Sequence, residues 1–256
     1  VFSMFLQTSW RRELEFRANF IAQIAQSIVW VVMFILILNV IFVHSTTIAG
    51  WNRGSAYVLS ATCMMMSSVS YTFFGNNLIE LSEQIRRGTL DFDLLKPMDL
   101  QFLISLRRVV FWEAGAGFAG ILVLVFGAAR SGSEITPSGI AAYCILFACS
   151  CGLFYSLNLL MMTLSVWFIK VENLWVLGET AVSFVRYPME VFGSALRKLF
   201  IFFLPVAFLS WVPAKALLGT CPFWLGALSI VWTAVALVVS RRFFLASLRW
   251  YGSASS

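Results

Sequence analysis

The chain has 256 residues, 60% of them hydrophobic and only 12% charged, with a formal net charge of +6 and a mean hydropathy of +0.87. A soluble domain carries about a quarter charged residues, so a water-soluble enzyme is excluded and an integral membrane protein is indicated. The basic excess would suit nucleic acid, but its distribution points to a membrane, as set out below.

Stretches free of Asp, Glu, Lys and Arg run from Arg17 to Arg53, Arg53 to Glu80, Glu134 to Lys170, and Lys215 to Arg241. A spanning helix needs roughly 20 mainly apolar residues, and each stretch holds that many. In lipid every backbone polar group must be satisfied within its own segment, which selects helices. The runs are continuous rather than alternating, which excludes a transmembrane barrel. The expected fold is an all-α integral membrane protein of six transmembrane helices, forming one domain over residues 1–256.

Residues 1–20, "VFSMFLQTSWRRELEFRANF", mix Trp10, Phe16 and Phe20 with Arg11, Arg12 and Arg17. That is the composition of an amphipathic helix lying among lipid headgroups. It lacks the small-residue cleavage site of a signal peptide, so it reads as structure. The first span is expected at 21–43, an outer loop at 44–54 and the second span at 55–79.

Residues 80–100 form the one dense polar segment, with "EQIRRGTLDFDLLKPMD" at 83–99. Glu83 and Arg87 stand four apart, the favoured order for a helical ion pair, with Arg86 beside them. A short helix over 80–87 should therefore continue span two. Gly88 is placed to end it as the C′ residue. After Thr89, the side chains of Leu90, Phe92, Leu94 and Leu95 offer an apolar ridge beside Asp91 and Asp93. Lys96-Pro97 then turns the chain back toward span three. An apolar anchor ringed by polar groups is the pattern of a docking surface.

Span three is expected at 109–129, with "GAGFAG" in its first half. Ala116 and Gly120 there form a small-xxx-small pair that lets another helix come close. Glu113 lies one turn inside this span. An intramembrane carboxylate is a functional candidate; the other reading is that it snorkels toward Arg107 or Arg108. Span four is expected at 139–166. Residues 170–219 are apolar but interrupted by Glu172, Glu179, Arg186, Glu190, Arg197, Lys198, Pro188, Pro205 and Pro213. Proline inside a helix removes a hydrogen bond and kinks it. A fifth crossing therefore falls either at 199–218, or at 170–187 with short re-entrant helices over 188–219. The sixth span, 222–240, ends at Arg241 and Arg242.

On this topology Arg11, Arg12, Arg17, Arg86, Arg87, Lys96, Arg107, Arg108, Arg241, Arg242 and Arg249 share one side, against Arg53 and Arg130 on the other. The positive-inside rule places the first group, and with it both termini, in the cytoplasm. No GxxxxGK[ST] loop is present to cradle nucleotide phosphates, and no GxSxG or HExxH motif. Cys63, Cys144, Cys149, Cys151 and Cys221 form no CxxC pair and read as small buried hydrophobes. His44 is the sole histidine, so neither a metal site nor a bound cofactor is expected.

Four pieces, "WRRELEFRANF", "IRRGTLDFDLLKPMD", "RYPMEVFGSALRKLFIFFLPVAFLSWVPAKALLG" and "LRWYGSASS", resemble the permease subunits of type-2 ABC exporters. The likeness is to the branch of short six-span permeases with a separately encoded ATPase, and the pieces fall in family order. It implies a multi-pass protein of a bacterial inner membrane that pairs with an identical or paralogous second permease. It also implies two cytoplasmic ATP-binding subunits, which would bind the ATP and Mg, and no nucleic-acid partner. Glu83, Arg86, Arg87, Gly88, Thr89, Leu90, Phe92, Leu94 and Leu95 would couple to that ATPase. Re-entrant helices between spans five and six, common in the family, favour the 170–187 crossing. Two other readings are a membrane-embedded lipid-modifying enzyme and an ion-coupled secondary transporter. The first has only the dispersed Glu113, Glu172 and Glu179 to work with, and the second would bring repeat symmetry and midplane carboxylates.

Overall fold

The structure is a computed structural model that describes residues 2–15, 17–167 and 183–251. Glu172, Glu179, most of the expected 170–187 crossing and the end of "LRWYGSASS" lie outside the described residues. Helix α1 (Phe2–Glu15) precedes α2 (Arg17–Ile41). Helix α2 is apolar over most of its surface and mostly exposed, the condition of a helix solvated by lipid or by another membrane subunit. A two-stranded hairpin follows, β1 (Thr47–Ile48) and β2 (Trp51–Asn52), with Ile48 opposite Trp51. Its turn residues Ala49 and Gly50 have φ of 50° and 84°, the positive pair that a two-residue hairpin turn needs.

Asn52 caps the next helix by accepting from Ser55 N at 2.8 Å, and its amide donates to Ser131 O at 2.6 Å. That helix is continuous from Arg53 to Arg87: α3 (Arg53–Ser70), a π-helical turn (Tyr71–Gly75) and α4 (Asn76–Arg87). After the short α5 (Asp91–Leu94) and α6 (Leu100–Leu106), α7 (Glu113–Arg130) returns antiparallel against α3. The two backbones nearly touch. A Cβ on Gly54 would meet the Arg130 carbonyl carbon at 2.4 Å, and one on Gly127 would meet Gly54 O at 2.9 Å. Close approach was expected at Ala116 and Gly120. Gly120 does press on Met65, but its companions on this face are Gly117 and Gly127; Ala116 turns toward a cavity instead.

Helix α8 (Pro137–Thr163) starts at Thr136, whose hydroxyl accepts from Gly139 N, with Pro137 at N1 where no N–H is needed. The later part comprises α9 (Ser194–Phe202), a 3-10 turn (Pro205–Phe208), α10 (Trp211–Leu217) and α11 (Phe223–Ser247). Helix α9 and the Pro205–Leu217 segment form a pair bent by 73°. The bend falls at Phe203–Leu204. The break therefore comes directly before Pro205, as expected of a proline that ends one helix and opens the next turn. Pro213, by contrast, breaks nothing: it lies in the first turn of α10, where its missing N–H would have had no partner. Nearly every residue from Pro205 to Leu218 is buried against α3, α8 and α11. A second, smaller core at the α4 end joins Leu78, Leu81, Leu90, Ile104, Leu159, Met162 and Phe244.

Four helices are long and apolar enough to cross a membrane, Phe20–Ile41, Glu113–Arg130, Pro137–Val166 and Phe223–Ser247, or five if the bent pair counts as one. The described residues thus form a helical membrane protein with a bent, re-entrant-like pair, and do not reach the expected six spans. The expected second span, 55–79, is helical throughout but richer in Ser, Thr and Asn than these four. It tolerates them because protein encloses it: Thr62 returns its hydroxyl to Val58 O, and Ser68 donates to Glu113 O.

Candidate coupling segment and the linker beneath it

Helix α4 ends as a Schellman motif. Gly88 has φ +69°, its N–H reaches Ile85 O at 3.2 Å, and Thr89 N reaches Gln84 O at 3.0 Å. Glu83 takes both Arg86 and Arg87 on its exposed carboxylate; the Arg86 hydrogen bond is the main cause of its pKa lying below the usual carboxylate range. Surface pairs of this kind contribute little stability, so their value here is local order and charge.

The apolar ridge divides. Leu90, expected on the surface, is fully buried among Leu78, Leu81 and Ile104, whereas Phe92 and Leu95 are 70% and 83% exposed, with Leu94 exposed as well. Leu90 is therefore an anchor and the other three are the free ridge. Asp93 is the second anchor. Its side chain, 5% exposed, receives Lys96 Nζ at 2.6 Å and Arg107 Nη1 at 3.2 Å. Arg107 also pairs with Glu80, so one guanidinium ties α4, α5 and the end of α6 together.

Two spans hold the same segment from below. Asp99 caps α6 through Phe102 N and pairs with Arg241 of α11 at 2.8 Å. The Arg241 bond, then the Phe102 N–H, keep the Asp99 carboxyl below its ordinary pKa. Tyr155 of α8 meets Gln101 and Ser105, each at 2.8 Å. Tyr251 packs beneath Leu90, which gives the C-terminal piece a place in this core.

Residues 108–111 connect this segment to α7 with no helix or strand of their own, so their N–H groups need outside partners. Each finds one. Arg108 N donates to Asn77 Oδ1, Val109 N to Ser9 Oγ, Val110 N to Thr72 O and Phe111 N to Glu13 Oε1. The π-helical turn supplies the Thr72 carbonyl, since the wider turn frees carbonyls from the i→i−4 ladder. Asn77 also donates to Ser105 O at 2.9 Å and Arg108 O at 2.7 Å. Trp10 closes edge-on over Phe111 at 5.1 Å. The N-terminal helix is thereby strapped to the linker. Burial raises the Glu13 pKa, against the lowering effect of the Phe111 N–H and Arg108.

Glu113 does not join this cluster. Arg107 is already engaged by Asp93 and Glu80, and no pair forms between Glu113 and Arg108 among the described residues. Glu113 instead lines a separate cavity of about 380 Å³ between α2, α3 and α7. Asp93, Arg107, Asn77, Ser9 and Glu13 carry no local sequence signal for these roles. Among the described residues no three His, Cys, Asp or Glu side chains gather as a metal site.

The fold defines a helical membrane protein whose polar segment is clamped onto its spans. The comparison with protein families makes that specific. The family described as "ABC-2 family transporter protein" matches residues 28–255, and the chain belongs to it. No curated protein matches the chain.

Proposed function

We propose that the chain is the permease subunit of an ATP-driven ABC exporter and that residues 83–95 dock on a separate ATP-binding subunit. The observation that carries this reading is the division of one short segment into anchors and free ridge: Leu90 and Asp93 are buried, while Phe92, Leu94 and Leu95 stand exposed. A ridge held rigidly at one end of the bundle can pass a push onward, because the linker 108–111 is tied to α1, α4 and the π-helical turn. ATP and Mg belong to the partner, and a second permease, identical or paralogous, completes the pathway. The positive-inside bias supports both termini and the docking segment in the cytoplasm of a bacterial inner membrane. Six spans follow if residues 170–187 supply the fifth crossing and α9 with the Pro205–Leu217 segment re-enters from the far side.

Affinity purification from the native membrane, with mass spectrometry of bound subunits, tests the reading directly. Recovery of an ATP-binding subunit is expected, together with its loss from Arg87→Glu and not from Arg11→Glu or Arg249→Glu. Equal recovery from all three variants would reduce the segment to a topological anchor.

A further inference from the structure

Helix α2 carries Gln23, Gln26, Ser27 and Trp30, a polar stripe at i, i+3, i+4 and i+7 along an otherwise apolar span. All four line the cavity of about 380 Å³, a size within the roughly 300–1,000 Å³ of small-molecule sites. Two opposite charges border it. Glu113 is partly buried at the start of α7, and Arg186 is exposed at the rim. The Ser68 hydroxyl is spent on the Glu113 backbone carbonyl at 2.6 Å, so it does not serve the carboxylate. Among the described residues no ion pair joins Glu113 and Arg186.

A partly buried carboxylate in an apolar bundle is costly without a partner, and here a guanidinium lines the same cavity without pairing with it among the described residues. A ligand that is only a cation would leave Arg186 unused, and one that is only an anion would face Glu113. A ligand with both charges satisfies both. Trp30 and Trp112 add aromatic faces, which attract an ammonium and cover an alkyl chain. We propose that this cavity binds an amphipathic zwitterion, its ammonium against Glu113 and its acid group against Arg186. Binding stands on the cavity itself; that the bound zwitterion is exported cargo rests on the permease reading above.

The full chain is purified in uncharged maltoside micelles and titrated with radiolabelled lauroyl lysophosphatidylethanolamine, dodecylamine, dodecyl phosphate and chainless phosphoethanolamine. Saturable binding of the lysolipid is expected, about tenfold or more tighter than of the other three. Glu113→Gln and Arg186→Gln should each weaken the lysolipid by about tenfold or more, the scale of a lost charge-assisted bond. Dodecylamine should respond only to the first variant and dodecyl phosphate only to the second. Should Glu113→Gln lose its size-exclusion profile, Arg186→Gln decides alone, since Arg186 lies at the exposed rim. Equal binding of the amine, phosphate and zwitterion, or lysolipid binding indifferent to Arg186→Gln, overturns the proposal. So does chainless phosphoethanolamine binding as tightly as the lysolipid. The measurement needs no ATPase, so its failure leaves the docking reading untouched, and absence of a co-purified ATPase leaves the binding result standing.

Discussion

Trp51 and Trp211 donate their indole N–H groups to the same oxygen of Glu190, at 2.9 and 2.8 Å. The other oxygen receives Lys215 Nζ at 3.0 Å, and that ammonium lies 4.7 Å from the centre of the Trp211 ring. One carboxylate thus joins the hairpin before α3, the 3-10 turn Met189–Val191 and α10, at the end of α3 opposite the 83–95 segment. Burial alone would raise the Glu190 pKa, but the bonds from Lys215 and Trp211 prevail and hold it below the ordinary carboxylate value.

A carboxylate depressed in the folded state adds stability that is present above its unfolded pKa, about 4.3, and is lost as pH falls through the folded value. The thermal midpoint of the purified chain should therefore drop on acidification below about pH 4.5. Glu190→Gln should flatten that drop and lower the midpoint at neutral pH. Losing the charge-assisted bond to Lys215 is expected to cost about 2 kcal/mol, or roughly 4–8 °C for a chain of this size. A neutral-pH midpoint equal to the parent's would remove Glu190 as a tie.

Phe92→Asp and Leu95→Asp should purify with the parent's thermal midpoint, because both side chains are largely exposed. They should lose the bound ATP-binding subunit by a hot-spot-sized amount, about 2 kcal/mol or more. Leu90→Asp places a carboxylate in a closed apolar core, at a cost of several kcal/mol, and should fail to accumulate. If all three behave alike, the division into anchor and ridge is wrong.

Glu13 separates a hydrogen-bond role from a charge role. Glu13→Ala strands the half-buried Phe111 N–H and should cost about 1 kcal/mol or more, seen as a lower thermal midpoint. Glu13→Gln keeps an oxygen for that N–H and removes a carboxylate whose pKa is raised by burial. A raised carboxyl favours folding more as pH falls, so the amide should equal or exceed the parent at neutral pH and lose that extra dependence on acid. A destabilised Glu13→Gln would contradict the strap as described.

Gly127→Val tests the contact of α3 with α7. Its Cβ would come within 2.6 Å of Tyr57 Cβ, and prying the helices apart should cost about 1–3 kcal/mol. Gly115→Ala, in the same helix, would meet nothing within 4 Å and should be neutral or stabilising by about 0.5–1 kcal/mol. Equal midpoints for the two variants would show that the close crossing does not matter to stability.

The residues themselves determined everything that acts within a helical turn or through bulk composition. Long uncharged stretches place the chain in lipid because a charge there is expensive. Glu83 finds Arg87, and Gly88 ends α4, because the partners of both are at most four residues away. Pro213 shows where such rules stop. A proline kinks or starts a helix according to where the helix begins, and the packing of Trp211 and Val212 settled that.

The tertiary structure alone decided which member of a chemically uniform set does what. Leu90 and Phe92 are equally apolar, yet only Leu90 meets Leu78, Leu81 and Ile104. Gly117, Gly120 and Gly127 all lack a side chain, and the crossing with α3 selects them over Ala116. Ser9, Glu13, Thr72 and Asn77 reach the 108–111 linker from as far as a hundred residues away, with no local pattern to announce it. The reason is physical: the linker's N–H groups cannot turn to water or to their own neighbours, so they take whichever acceptors the packed helices bring to them.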